Sequence, residues 1–320
     1  MKWLERQDIL MNTSVEQLIY GENPDAAAQK AAGEIRRLES LMSFFIESSE
    51  IAAINRSAGQ AAIKLSDDVM QVLNMAIKYA EMSDGGFDIT LAPVIDLWRR
   101  CGKQHILPRP NDISYALSIS GYHNLRLDRN DKTAFLLKND CSVDLGAIGK
   151  GFAADQCIEI YKSEGVQSAF INLGGNVKTL GYNPKNLAWT IGIQHPDRSR
   201  GVYFAAVDII DQSIVTSGAY ERYFEIKGKK YHHIMDNKTG YPCESGLKSV
   251  TVICQSSAQA DAVSTAAFVL GLDEGLRLIS TMDDTDAVFF TDDNKVYITK
   301  DLQSRFHLQK DSGLDCYAVN

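Results

Sequence analysis

The chain has 320 residues, which is enough for one large domain or two ordinary ones with a sizeable core. It is 45% hydrophobic and 23% charged, and its net charge of -8 argues against a nucleic-acid surface, which needs a basic stripe. No apolar run approaches the roughly 20 residues of a membrane span. The first residues mix charges and lack an apolar signal core, so we expect a cytoplasmic protein, provided that no leader was removed.

The first third of the chain alternates between one predicted strand and several helices. Apolar alternation predicts a strand over Leu10–Tyr20, and Pro24 suits the first turn of an amphipathic helix over Asp25–Leu41. A short helix is predicted over Ile51–Asn55, and a longer one is opened by Leu65–Asp68 and runs through Val69 to about Met82. The segment therefore favours helices packed on a sheet.

The middle of the chain is rich in glycine turns. Paired glycines open a turn over Gly85–Thr90, which leads into a helix through Trp98. A short helix is predicted over Ser114–Ser120, and two or three strands over Leu125–Val143. A further helix over Phe152–Glu164 is stopped by a glycine.

The second half of the chain is dominated by short strands. They are predicted over Ser168–Asn172, Ala188–Gln194, Tyr203–Ile210, Ser213–Gly218, Tyr223–Ile226, Tyr231–Met235, Ser249–Cys254, Ala287–Thr291 and Val296–Thr299. Helices and mainly antiparallel strands intermix, which favours an α+β fold over a doubly wound sheet.

One helix carries a pair of oxygen ligands near its start. Ser256 lies three residues before Gln259, the spacing of a capping box, and Gly271 is placed to end the helix. Asp261 and Thr265 are four residues apart, so they project from the same face, and such oxygen donors suit Mg²⁺ that also holds phosphate. The alternative is structural: Thr265 bonds back into its helix and Asp261 favours the positive helix end.

Three other features could join this pair. The glycine loop from Asp144 to Gly151, with Lys150, is suited to an anion, although its spacing is not that of a Walker A loop. His232 and His233 are adjacent on a strand, so only one of them can face a site. The rings of Phe45 and Phe87 could stack on a ligand. Together these features predict transfer or cleavage at a nucleotide phosphate.

Several ordered motifs resemble one family. The runs DLGAIGKGFAAD, INLGGN, TSGAYER, YHHIMDNKTGYP and SAQADAVSTAAFVLG, preceded by MSFFIESSEIAAIN and GGFDITLAPVIDLW, resemble the ApbE family of FAD:protein FMN transferases. The likeness covers nearly the whole chain, so we expect one domain over residues 1–320. The resemblance implies a T-fold-like α+β domain, with mainly antiparallel sheets and packed helices, that binds FAD and Mg²⁺.

The resemblance also implies an activity and a set of site residues. The FMN half of FAD would pass to a Ser or Thr hydroxyl of an acceptor flavoprotein, with release of AMP. Asp261 and Thr265 match the metal-binding side chains, Ala147 a backbone carbonyl ligand, and His233 the catalytic histidine. The positions that match FAD contacts are Met11, Phe45, Gly86, Phe87, Asp88, Asp144, Lys150 and Met235.

Some residues depart from the family pattern, and two rival functions stay open. Phe45 stands where the family often has Tyr, and Asn12 where Gly is frequent. These differences concern the contacts with the flavin and leave the metal-binding and proton-transfer groups in place. An FAD pyrophosphatase, with water in place of the acceptor hydroxyl, would use the same residues. A flavin-binding protein without turnover would retain FAD and release no AMP.

Overall fold

The computed structural model describes residues 2–310 and 312–319. A nine-stranded sheet forms its centre, in the order β1-β2-β6-β7-β10-β13-β14-β15-β17. These strands are β1 Lys2–Leu10, β2 Thr13–Gly21, β6 Ser168–Leu173, β7 Asn176–Leu180, β10 Ser213–Gly218, β13 Leu247–Cys254, β14 Asp286–Thr291, β15 Lys295–Thr299 and β17 Asp315–Val319. All neighbours in this sheet are antiparallel except β15 and β17, which are parallel.

Helices cover one face of this sheet. The seven α-helices of the described residues are α1 Pro24–Met42, α2 Glu50–Arg56, α3 Asp67–Met82, α4 Ala92–Lys103, α5 Pro110–Ile119, α6 Gly149–Ser163 and α7 Ser257–Ser280. α1, α6 and α7 pack side by side on the sheet, and the core between the two layers includes Ile35, Phe152, Ile171 and Phe268. No helix of the described residues is long and apolar enough to cross a membrane.

A smaller sheet covers the opposite face. Its order is β16-β9-β8, with β8 Trp189–Gln194, β9 Tyr203–Ile209 and β16 Phe306–Leu308. Phe204, Val207, Ile214 and Phe290 form the core between the two sheets. The remaining strands are β3 Ile63–Lys64, β4 Leu125–Asp128, β5 Thr133–Leu136, β11 Tyr223–Ile226 and β12 Lys229–His232.

The expected α+β fold with mostly antiparallel sheets is confirmed. The strand predicted over Leu10–Tyr20 corresponds to β2, and the structure has a further strand before it. Lys2–Leu10 forms β1 and turns through Met11 and Asn12, both with positive φ (49° and 56°), into β2. Such a two-residue turn matches the twist of a hairpin, and Asn tolerates this conformation. The sequence analysis missed β1 because charged side chains on both faces of this edge strand interrupt its apolar pattern.

Several element boundaries also differ from the sequence predictions. Gly271 has the expected left-handed conformation (φ 81°), but a second helical segment follows it directly, so α7 continues to Ser280. Asn176–Leu180 is a buried strand that the sequence analysis overlooked, and α4 extends to Lys103. Helix α5 begins at Pro110, four residues before the predicted start, because proline is well suited to a first helical position.

Candidate active site

A cavity of about 1850 Å³ lies at one end of the nine-stranded sheet. The β1–β2 turn, the β6–β7 turn and the end of β10 meet there, together with the start of α6 and the hairpin of β11 and β12. All twelve residues predicted to form the site line this cavity: Met11, Phe45, Gly86, Phe87, Asp88, Asp144, Ala147, Lys150, His233, Met235, Asp261 and Thr265. The fold thus brings together residues that are up to 254 positions apart (265 − 11).

The carboxylate of Asp261 is held by the first turn of a neighbouring helix. The backbone N–H of Gly151 donates to Asp261 Oδ2 at 3.1 Å, and Lys150 Nζ lies 3.5 Å from Oδ1. In a regular helix the Gly151 N–H would donate to the carbonyl four residues back, which is that of Ala147. Among the described residues no donor reaches this carbonyl, which leaves its oxygen free beside a buried carboxylate.

Thr265 follows one turn after Asp261 on α7. Its Oγ1 lies 3.3 Å from the Asp261 carbonyl, so the back-bonding that the sequence left as an alternative does occur. The same atom lies 3.0 Å from Ser217 Oγ at the end of β10, and Ser217 also bonds Ser264. Ser217 therefore fixes the rotamer of Thr265 on the side of the cavity.

These groups suit a hard cation. A carboxylate, a hydroxyl and an unpaired carbonyl are all oxygen donors, and Mg²⁺ binds through one or two carboxylates together with substrate phosphates. Among residues 2–310 and 312–319 no three His, Cys, Asp or Glu side chains cluster as a metal site. A cation here would therefore rely on the free carbonyl of Ala147 and on substrate oxygens, besides the single carboxylate of Asp261.

A second contact joins α6 to α7 one turn further along. The Asp155 carboxylate accepts hydrogen bonds from the backbone N–H groups of Ser257 (2.9 Å) and Ala258 (3.0 Å) at the start of α7. Lys178 from β7 forms an ion pair with the same carboxylate. This cap offsets the exposed N–H groups at the positive helix end. Asp155 thereby holds the start of α7 against α6.

His233 presents one ring nitrogen with a defined role. Its Nδ1 lies 3.1 Å from the carbonyl oxygen of Arg222, and because a carbonyl can only accept, Nδ1 must carry the proton. The other nitrogen, Nε2, is then an unprotonated acceptor. The ring is exposed to the cavity, where the surrounding walls limit its hydration, and this desolvation lowers the pKa of His233 to about 4. His233 is therefore neutral and able to accept a proton at neutral pH.

The neighbouring His232 has a structural environment. Its Nε2 bonds the carbonyl of Cys243 at 2.9 Å, its Nδ1 accepts from the Ile234 N–H, and its ring meets Phe268 edge to face. Both nitrogens are occupied, so no lone pair is left for a substrate. The sequence argument that only one of the two histidines can face a site agrees with this arrangement.

Two further acids of the predicted set differ in their surroundings. Asp144 Oδ1 accepts from the Gly146 N–H at 2.8 Å; burial raises the pKa of Asp144, opposed by the charges of Arg99 and Arg222. Asp88 caps the short helical turn at Thr90 and also accepts from the Tyr122 N–H at 2.8 Å. Burial likewise raises the pKa of Asp88. Asp88 thus supports the loop that lines the cavity.

The two phenylalanines predicted to stack on a ligand ring have different environments. Phe45 is 59% exposed at the cavity, with the Arg99 guanidinium 4.5 Å from its ring centre. Phe87 is only 1% exposed and its side chain lies in the hydrophobic core, so the predicted stacking on Phe87 is wrong. Apolar burial fixes that ring, and the glycines before it bring the backbone rather than the ring to the cavity.

Three cavity residues were missed by the sequence analysis. Ser217 orients Thr265, Arg222 provides the carbonyl for His233, and Arg99 covers Phe45. Ser217 and Arg222 both belong to the run TSGAYER, which the analysis used only for the resemblance. A serine or a backbone carbonyl carries no distinctive spacing, so only that resemblance could have indicated them.

An α+β fold whose cleft gathers a carboxylate, a hydroxyl, an unpaired carbonyl and a neutral histidine is typical of an enzyme active site. The ApbE family profile matches residues 11–289, and the chain belongs to the ApbE family. The chain is 34% identical to an FAD:protein FMN transferase of Klebsiella pneumoniae, over 97% of this chain and 96% of that protein.

Two other similar proteins support this membership. An FAD:protein FMN transferase of Treponema pallidum is 32% identical, over 91% of this chain and 85% of that protein. The crystal structure of the ApbE protein of Thermotoga maritima superimposes with a TM-score of 0.84 at 28% identity, and covers 92% of this chain and 96% of that chain. The predicted class of transferase enzyme agrees with the names of these relatives.

Proposed function

We propose that this chain is an Mg²⁺-dependent FAD:protein FMN transferase that moves FMN from FAD to a Ser or Thr hydroxyl of an acceptor flavoprotein and releases AMP. The observation that carries the proposal is the single cavity in which Asp261, Thr265, the Ala147 carbonyl and His233 meet. The names of the two relatives, which state FAD as donor and a protein as acceptor, support the same activity.

Asp261, Thr265 and the carbonyl of Ala147 would hold Mg²⁺. Bound there, the ion would neutralise charge on the pyrophosphate of FAD. The Lys150 ammonium, already 3.5 Å from Asp261 Oδ1, adds a positive charge beside the same oxygens. The start of α6 also lines this cavity, and the positive end of its helix dipole favours an anionic group. These groups bind and orient the pyrophosphate.

His233 would act on the acceptor hydroxyl. Its Nδ1–H is bound to the Arg222 carbonyl, which leaves the lone pair of Nε2 to accept the hydroxyl proton. The hydroxyl oxygen forms a bond to the flavin-side phosphorus while the bond from that phosphorus to the AMP oxygen breaks. The proton goes to His233, and AMP leaves with the bridging oxygen. The exposed ring of Phe45, covered by Arg99, offers a stacking surface to an aromatic group of FAD.

A product assay tests this proposal. The protein is incubated with FAD and Mg²⁺, with and without a candidate acceptor flavoprotein, and AMP, free FMN and the acceptor mass are measured. We expect AMP together with an acceptor heavier by one FMN. Free FMN at the same rate with and without acceptor would instead identify a pyrophosphatase. Retained FAD with no AMP would identify a binding protein.

A further inference from the structure

The cavity extends well beyond the twelve predicted residues. Its volume of about 1850 Å³ exceeds the roughly 300–1,000 Å³ of a typical small-molecule pocket. The additional space, which we name the sheet lobe, borders the edge of the small sheet and the part of the large sheet next to it. It is lined by Asn172, Val177, Thr190, Ile191, Gly192 and Ile214. None of the residues assigned to FAD or to the cation belongs to the sheet lobe.

Strand β8 borders the sheet lobe along its free edge. In the order β16-β9-β8 this strand has a neighbour on one side only. Thr190, Ile191 and Gly192 are consecutive, and consecutive side chains point to opposite faces of a strand. Three consecutive residues can therefore line one cavity only if the cavity runs along the edge of the strand, where the backbone N–H and C=O groups are exposed. Gly192 carries no side chain, and the Tyr203 ring lies over it, 2.7 Å from where a Cβ would be.

The backbone along this edge is unpaired. Within the described residues, no backbone hydrogen bond outside the sheet ladders involves residues 190–193. Beyond the strand, Gln194 holds the following loop, since its Oε1 accepts from the Gly201 N–H (2.8 Å) and its Nε2 donates to Ser199 O (3.1 Å). These bonds hold the loop together beyond the end of the strand. An exposed strand edge of this kind is a template for an added strand.

The proposed reaction requires a second substrate in the same cavity, and that substrate is a polypeptide. We propose that an extended segment of the acceptor protein adds to the free edge of β8 as a fourth strand and lies in the sheet lobe. Backbone hydrogen bonds would then supply binding that depends little on side chains, and the continuous cavity would lead the acceptor hydroxyl toward His233. This inference rests on the proposed function.

A substitution at the edge tests the inference by kinetics. Thr190 is exposed and its hydroxyl donates to Asp208, so Thr190→Arg places a long charged side chain beside this edge without disturbing the core. We expect the KM for an acceptor that gains FMN in the product assay to rise about tenfold or more, with FAD affinity unchanged. The matched control is Thr281→Arg, because Thr281 is exposed, makes one hydroxyl bond and lies outside the cavity.

Hydrogen exchange gives a second, backbone-level readout. The wild-type protein is mixed with the same acceptor, in which the modified Ser or Thr is replaced by Ala so that the complex persists. We expect slower exchange over residues 189–194 and no change over Phe306–Leu308, which form β16 at the other edge of the same sheet. An unchanged KM for Thr190→Arg, or protection that spares β8, would overturn this inference alone. Absence of any transfer by the wild type would overturn the proposed function and this inference together.

Discussion

At the scale of single residues, the desolvation of His233 inside the cavity sets the pH range in which its ring can accept a proton. The pKa of His233 lies at about 4, chiefly because of this desolvation, whereas an ordinary histidine titrates near 6.5. The ring stays unprotonated as the pH falls from 7 to 5 and takes up a proton only near pH 4. We therefore expect kcat/KM for FAD to stay level down to about pH 5 and to fall as pH 4 is approached.

The pH profile has two controls. Protein held at each pH and then assayed at pH 7 reports any acid unfolding. The variant His233→Ala should bind FAD normally, lose the acid limb and transfer FMN about 10²–10⁴ times more slowly, as is typical when a general base is removed. An acid limb near pH 6.5 in the wild type would show that desolvation does not set the pKa of the catalytic group.

The carboxylate of Asp261 can be tested separately from the helix contact that it makes. Asp261→Asn keeps an oxygen that can accept from the Gly151 N–H but removes the negative charge. We expect normal folding and a loss of Mg²⁺-dependent AMP release, measured over a range of Mg²⁺ concentrations. Thr265→Ser, which keeps the hydroxyl, serves as the control. A rate for Asp261→Asn that equals the wild type at limiting Mg²⁺ would remove Asp261 from the cation site.

At the scale of elements, the contact between α6 and α7 determines whether the site residues meet. A Cβ added at Gly151 would lie 2.2 Å from the carbonyl oxygen of Ser257, a backbone atom that cannot move aside. We expect Gly151→Ala to lower the free energy of unfolding by about 1–3 kcal/mol, the usual cost of overpacking. The measurement is urea denaturation followed by circular dichroism.

The matched control for this prediction is a second helical glycine. A Cβ at Gly33 in α1 would meet no atom within 4 Å. Gly33→Ala should therefore raise the free energy of unfolding by about 0.5–1 kcal/mol, because alanine is the better helix former. If both substitutions stabilise the protein, the close approach of α6 to α7 is not what requires glycine at position 151.

At the scale of the whole molecule, a ligand that fills the cavity must stabilise the fold. A ligand that binds only the folded state at 100 times its Kd adds about 2.7 kcal/mol. We expect the melting temperature to rise with FAD, and to rise further with FAD and Mg²⁺ together. Riboflavin, which lacks the pyrophosphate, should give no additional rise with Mg²⁺. An identical melting temperature with FAD in Mg²⁺ and in EDTA would contradict a cation shared with the pyrophosphate.

Much of the fold could be predicted from local patterns. Helices α1, α3 and α6 were predicted to within a few residues because their apolar periodicity and their proline or glycine signals agree. β1 was missed because charged residues on both faces interrupt its apolar pattern, and β7 because a short buried strand has no alternation. The second segment of α7 was missed because a glycine with positive φ ends one helix without preventing another.

The sequence by itself determined which residue types are available: an acid and an alcohol four positions apart, a glycine loop with a lysine, and two adjacent histidines. It also determined the family, through motifs in a fixed order. Only the tertiary structure decided that Gly151 turns its N–H to Asp261 and frees the Ala147 carbonyl, that Arg222 fixes the tautomer of His233, and that Phe87 is buried. These outcomes depend on contacts between segments about 10 to more than 100 residues apart, which no local pattern encodes.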